Sequence, residues 1–440
     1  MEKSKNILVV FSAIIFIFAL AGCQNPFLQL GKEAISSASS PFVQSPIPGA
    51  VVYQDGTEEY PFLVYDVETL GMVGSGKTLD GINYWNLDQQ YIQIDDIDLS
   101  DEDDWQPIGL GSQFSGGYMG NGYSISNLRM SGVEYIGLFS ELSGVVKGIR
   151  LIDATILGDN YVGGITGQND GEILDCSFTG TISANGSIGQ LGGMAGRNLG
   201  TIERCSAKGY DFYGRDLGGM AGLNDGIINN SYAVGNFSGS EQVGGIVGEN
   251  SVDGRISSCY ANGSFIGNIV GGIAGLSKGA IINCYSKGTC GSADNNNVEV
   301  GGLVGSIGDG ELTYSYSTCI VSGYYFVGGL VGSGNKGSIR YCVALNPKVT
   351  CTESFVGRIF GGDGPSTVKF KNNYANEDMI ITGFDYSYDQ TKDGEHVPEG
   401  DWIRESWWRY EGKWLGADWD FETVWAWGDG LPVLQNVGGQ

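Results

Sequence analysis

The chain of 440 residues has one histidine, His396, ten prolines, and only 24 lysines and arginines against 50 aspartates and glutamates. Each shortage excludes something. At a net charge of −26, with no cluster of Lys and Arg, the chain cannot hold a phosphate backbone by counterion release, so nucleic acid is excluded as a partner. An anionic lipid surface would repel it as well. One imidazole and no Cys-x-x-Cys pair leave little for a zinc site. The scarcity of proline excludes collagen despite 74 glycines, about one residue in six where one in fourteen is ordinary. Charged residues are also sparse, at 17%, while 41% are hydrophobic and 11% aromatic, a balance that gives a core rather than disorder.

What is present begins with Lys3 and Lys5 ahead of an apolar run from Ile7 to Leu20. That run is short for a membrane span and has the shape of a secretory signal. It ends in Leu20-Ala21-Gly22-Cys23, which resembles the lipobox of bacterial lipoproteins. The resemblance implies cleavage before Cys23 and lipid attachment at that residue, making the membrane a partner through N-terminal acyl chains. More than one chain gives stable anchoring. Gln24 resembles the residue that directs such proteins to the outer membrane of Gram-negative cells. Residues 1–22 are thus expected to be a lipoprotein signal peptide. The Ser- and Pro-rich residues 23–57 are expected to be a flexible tether.

Beyond the tether the glycines acquire a period. Apolar-Gly-Gly-apolar-x-Gly stands at Val162 to Gly167 and returns six times, to Val327–Gly332, with worn copies at Ile136 and Val356. The second position of the pair falls at 137, 164, 193, 219, 245, 272, 302, 329 and 358, so the repeat is 26 to 30 residues long. Each copy continues as Gly-x-apolar-x-x-Cys or Ser and then a third short apolar run, with no helical periodicity. Three strands per repeat predict an all-β fold, a right-handed parallel β-helix of about nine or more coils. The columns led by Val162 and Ile165 lie three residues apart, so both face inward only if the chain bends at the paired glycines. Asn169, Asn198, Asn224 and Asn250 are expected to form a turn ladder, asparagine being tolerant of left-handed conformations and able to bond its neighbours above and below. Cys176, Cys205, Cys259, Cys284 and Cys342 share one phase. Stacked buried thiols fit that phase; disulfides between adjacent coils are the alternative, opposed by the spacing of in-register strands.

The Gly-Gly-Leu-Val-Gly of 301–305 and 328–332 resembles the GLUG motif of bacterial surface proteins, which also stands beside some secreted IgA peptidases and adhesins. Upstream, Trp105-Gln106-Pro107-Ile108-Gly109 and Gly120 to Leu128 resemble the start of such repeat domains. Downstream, Thr423-Val424-Trp425 and Gly430 to Leu434 resemble their closing segment. The likeness implies an N-terminal lead-in segment over 58–134, a GLUG repeat β-helix over 135–375 and a Trp-rich C-terminal closing segment over 376–440, the aromatic-rich cap of the helix. It implies an architecture and no catalytic residue set.

Candidate sites are few. The acidic run Asp95 to Asp104 is read as a solvated turn, with a weak calcium site as the alternative, and lacks EF-hand spacing. His396, between Glu395 and Val397, is read as an incidental loop residue. No general acid and base pair recurs in phase, so no catalytic residue, metal site or cofactor is expected. Seven of nine tryptophans lie between 402 and 427. They are expected to cover the open end of the helix; Trp402, Trp407, Trp408 and Trp414 are the candidate glycan-binding platform if that cover also recognises a ligand. The reading that results is a surface-anchored, non-catalytic lipoprotein, an adhesin or recognition protein for a glycan or a host or matrix protein. A carbohydrate-active β-helix enzyme and a structural envelope spacer are the alternatives.

Overall fold

The glycine period becomes a stack of coils. The computed structural model describes residues 43–44, 51–52, 54–184, 189–291, 299–362, 367–383, 389–409, 414 and 418–440. One coil shows how the repeat folds. It consists of Asp216–Gly218, Ala221–Asn224, Ile227–Asn229 and the longer Tyr232–Gly239, after which Gln242–Gly244 begins the next coil. We name the four faces after these strands: the glycine, asparagine, short and long faces.

Every strand of a face pairs in parallel with its equivalent one coil away. The glycine face has nine strands, from Glu134–Ile136 to Phe355–Gly357. The asparagine face also has nine, the short face twelve, and the long face sixteen, ending at Glu395–Val397. The expected parallel β-solenoid is therefore found, with about eleven turns. Coils carry four strands rather than three. The sequence makes a single strand of the glycine motif, but the pair Gly218-Gly219 and Met220 form a corner between two strands, and so Leu217 and Met220 both point into the core with no exposure. The expected bend is real and sharp enough to end a strand.

Glycine is required at that corner by its neighbours. A Cβ on Gly219 would lie 2.2 Å from Ala233 Cβ and 2.3 Å from the Gly245 carbonyl oxygen of the next coil. On Gly222 it would lie 2.4 Å from the Leu191 nitrogen of the coil before. No side chain fits between backbones that close.

The corner into the long face is built differently. Asp175, Arg204, Asn230, Ser258, Asn283, Tyr314, Tyr341 and Asn372 hold φ between 48° and 57°, one per coil, each just before the Cys/Ser column. A left-handed conformation costs a non-glycine residue about 1–2 kcal/mol. The coil below offsets this by accepting its N–H, as Glu203 accepts from Asp175 at 3.0 Å and Ile282 from Ser258 at 3.1 Å.

The inward columns fill one continuous core. At its N-terminal end the helix Val67–Met72, begun by a capping box between Asp66 and Thr69, brings Leu70 and Met72 against it. Trp85 stacks on Phe62 at 4.6 Å. At the C-terminal end Arg358 occupies the second glycine position and is buried. Its guanidinium donates to the carbonyls of Ala375 and Asn376 and lies 2.9 Å from His396 Nδ1, while its backbone N–H donates to Asp393 at 2.7 Å.

Candidate functional site

The aromatic closing segment packs along the side of the rod. Tyr232, Tyr260, Tyr285 and Tyr316 follow the Cys/Ser column in four successive coils and point outward from the long face. Their rings stack nearly parallel, with centroids 4.9 to 5.1 Å apart. Trp408, Trp419 and Trp425 lie against this rail, Trp407 and Trp414 against Tyr374 further along the same face, and the five form a second core with these tyrosines. The tyrosine hydroxyls donate into the segment: Tyr260 to Gly438 at 2.8 Å, Tyr285 to Gln440 at 2.8 Å and Tyr316 to Pro432 at 2.7 Å.

This corrects the candidate platform. Trp407, Trp408 and Trp414 have no exposed surface, and a buried ring cannot stack on a sugar. Trp402 is half-buried, and its carbonyl accepts from Trp408 Nε1 at 2.8 Å. The rail was the missed signal, since a tyrosine after the Cys/Ser position in four repeats marks an outward column that something must cover. Cys23, the predicted lipid attachment site, lies outside the described residues.

The cysteine column holds buried free thiols. Each thiol donates to the carbonyl two residues back, Cys259 to Ser257 at 3.2 Å and Cys342 to Arg340 at 3.2 Å. Ser231 does the same to Asn229 at 2.8 Å, which is why serine substitutes there. Burial pushes the Cys342 thiol up to about 12 and those of Cys205 and Cys259 well above the ordinary range, so these sulfurs are neutral packing groups.

The asparagines form a ladder facing the core. Asn169 Nδ2 donates to Asn198 at 2.7 Å, Asn198 to Asn224 at 2.8 Å and Asn224 to Asn250 at 2.8 Å, all fully buried. None of the four has positive φ, so the left-handed preference expected of them is not the reason for their presence. The expected bonding to neighbours above and below is the reason instead: Asn198 and Asn224 each donate to one neighbour in the stack and accept from the other.

The acidic run ties the first coils together. Asp96 accepts from the Ser124 N–H at 2.8 Å, Asp98 from Asn127 Nδ2 at 2.8 Å and Asp104 from the Ser131 N–H at 2.8 Å. Among the described residues no group of three or more His, Cys, Asp or Glu side chains is placed to hold a metal. His396 is no loop residue: it lies in a strand paired with Tyr374–Asn376. A guanidinium has only donors, so Nδ1 is the acceptor in its contact with Arg358.

One polar column was not anticipated. On the glycine face, the position before the Val/Leu column holds Gln190, Asp216 and Gln242 in successive coils. Asp216 is 7% exposed. Its Oδ2 lies 3.7 Å from Arg215 Nη1, while its Oδ1 has no hydrogen-bond partner; the same holds for the buried Oε1 of Gln190 and of Gln242. Burial pushes the Asp216 carboxyl up to about 6, against the pull of Arg215 and of the Gln242 backbone N–H, and Glu249 and Glu241 add to the rise.

The GLUG motif matches this chain at residues 158–183 and 239–266. A 153-residue stretch, 32% of the chain, is 32% identical to Halomucin of Haloquadratum walsbyi, and the chain spans 2% of that protein's length. A crystal structure of a candidate immunoglobulin A1 protease from Bacteroides ovatus is similar at a TM-score of 0.40 and 20% identity, covering 87% of this chain and 94% of that one. The two matched segments stand in register with the coils between and around them, which carry the same glycine period.

Proposed function

We propose that the protein is a non-catalytic recognition protein, an adhesin, held at the bacterial cell surface by acyl chains on Cys23. Its ligand is a glycan or a host or matrix protein, bound along the long face. The observation that carries this reading is the distribution of exposed residues. The repeat occupies its inward side chains with ladders and its corners with backbone contacts, and the tryptophans are consumed by the tyrosine rail. What stays free is the outward side of the long strands ahead of that rail. Arg150–Gly158, Ser177–Ala184 and Ser206–Gly214 there present Thr155, Asp211 and two aromatic rings, Tyr210 at 59% and Tyr213 at 52% exposure. Exposed tyrosines supply wide contact area at low cost in side-chain entropy. The lipobox, the tether and the repeat class support a surface location.

Two experiments test it. Radiolabelled palmitate should enter the wild-type chain and not Cys23→Ser, and the variant should leave the membrane fraction. On glycan and matrix-protein arrays the mature chain should select a ligand, and Tyr210→Ala with Tyr213→Ala should lose it. Absence of any ligand at high protein concentration, or unchanged binding by the double variant, overturns the reading.

A further inference from the structure

We propose that the hairpin over residues 77–85, at the end of the rod where the chain enters it, dips its tip into the surface of the bilayer and fixes how the rod stands on the membrane. This rests on the lipid anchoring at Cys23 proposed above. The hairpin is closed by the Gly76 N–H, which donates to the Trp85 carbonyl at 2.9 Å, by the Trp85 N–H, which donates to the Lys77 carbonyl at 2.8 Å, and by an antiparallel bridge between Thr78 and Tyr84. Its base is fixed, because Trp85 is buried and stacks on Phe62 of Phe62–Val64, the first strand of the short face. Its tip has the opposite character. Ile82 is 69% exposed, Tyr84 54% and Leu79 39%, three large apolar side chains within six residues.

Exposed apolar side chains are common, so the polar groups among them decide. Asp80 Oδ1 accepts from Thr78 Oγ1 at 2.7 Å, from the Ile82 N–H at 2.8 Å and from the Asn83 N–H at 2.7 Å, while Oδ2 accepts from Asn83 Nδ2 at 2.8 Å. The Gly81 N–H donates to Thr78 Oγ1 at 2.9 Å. The backbone donors of 81–83 are thus satisfied from within, the condition for a turn to exchange water for lipid. A protein partner could supply acceptors of its own and would not need this. Tyr84, with an apolar ring and a polar tip, and Lys77 at the base are residue types that settle at a membrane interface. The place of the anchor selects the same occupant. Cys23 precedes Asp55 by about thirty residues, and the Gly56 carbonyl accepts from the Gln90 N–H at 2.8 Å, so the chain reaches the rod beside the hairpin. The expected tether spans about 30 Å as a coil, which keeps this end of the rod close to the lipid. Asp55, Glu58, Glu59 and Asp88 are exposed here too, so the surface that fits is one of zwitterionic rather than anionic headgroups.

The test uses the full acylated chain in phosphatidylcholine vesicles, with Ile82→Cys carrying an environment-sensitive fluorophore. The cysteines of the coils are buried, so the introduced thiol takes the label. Val252→Cys, at a site of similar exposure on a middle coil, is the control. Nitroxide-bearing lipids should quench the probe at 82 by about twofold or more and leave the probe at 252 unchanged, and aqueous iodide should show the reverse order. Leu79→Ser combined with Ile82→Ser should keep the fold and speed transfer of the chain between vesicles by roughly tenfold or more. The proposal is overturned if iodide reaches both probes equally and nitroxide lipids neither, or if the double variant transfers like the wild type. It also falls if the probe at 82 is shielded without vesicles and in step with protein concentration, since a second copy of the chain then covers the tip. Absence of palmitate on Cys23 removes the anchoring and this proposal together; palmitate on Cys23 with an unquenched probe removes this proposal alone.

Discussion

At the scale of single residues, the solenoid depends on side chains that both give and receive a hydrogen bond. Asn198 is the clearest, bonded to Asn169 on one side and Asn224 on the other. Asn198→Ala orphans a donor and an acceptor in a dry core, so a loss of about 2–4 kcal/mol is expected in urea unfolding, while a serine for cysteine in the neighbouring column is expected to be mild. Asp216 supplies the pH dependence. Its carboxyl stands near 6 in the folded chain, above the ordinary value of about 4. Between those values the folded chain holds a proton that the unfolded chain releases. Its contribution is therefore full below about pH 4 and is lost as pH rises through 6, by up to about 2–3 kcal/mol. Asp216→Asn should flatten that part of the stability profile.

At the scale of the element, the corner between two strands decides what each repeat can tolerate. Gly219→Ala forces a methyl into Ala233 and the Gly245 carbonyl, and because that obstacle is backbone the coil must shift. A loss above about 3 kcal/mol is expected by thermal unfolding, beyond the usual cost of an overpacked core side chain. Gly111→Ala is the matched control for a glycine without neighbours: nothing lies within 4 Å, and only its φ of 77° opposes the change. The period, the two apolar columns and the bend at the glycines were legible in the sequence, because each is a residue type required at a fixed spacing. The fourth strand was not, because a corner that ends a strand and a bulge that continues it use the same glycines. The left-handed corner was also hidden. Half of its eight positions carry Asn or Asp, which tolerate the left-handed region, but Arg, Ser and Tyr fill the others, and the conformation is held there by a carbonyl one coil away. The candidate site was misread for a related reason: Trp407, Trp408 and Trp414 look like a platform until Tyr316 is seen to lie beneath Trp408, and Tyr374 beneath Trp407 and Trp414.

At the scale of the whole molecule, two cores share one sheet. The long face has the solenoid interior on one side and, over its later coils, the tyrosine rail and tryptophan segment on the other. Trp425 joins them: its ring lies 6.0 Å from that of Tyr316 and 4.9 Å from that of Trp419, and its Nε1 donates to Asn283 at 3.4 Å. Trp425→Ala should cost about 3–5 kcal/mol of the closing segment's attachment, read as protease sensitivity between 400 and 440 while the coils stay intact. The rail also makes the molecule its own optical gauge. Tyr260, Tyr285 and Tyr316 stack on one another, and the last two lie next to indoles, so light absorbed by these phenols passes along the column and leaves as tryptophan emission. When the segment lifts, the donors lose their acceptors and tyrosine fluorescence returns, a signal that separates detachment of the flank from unwinding of the coils.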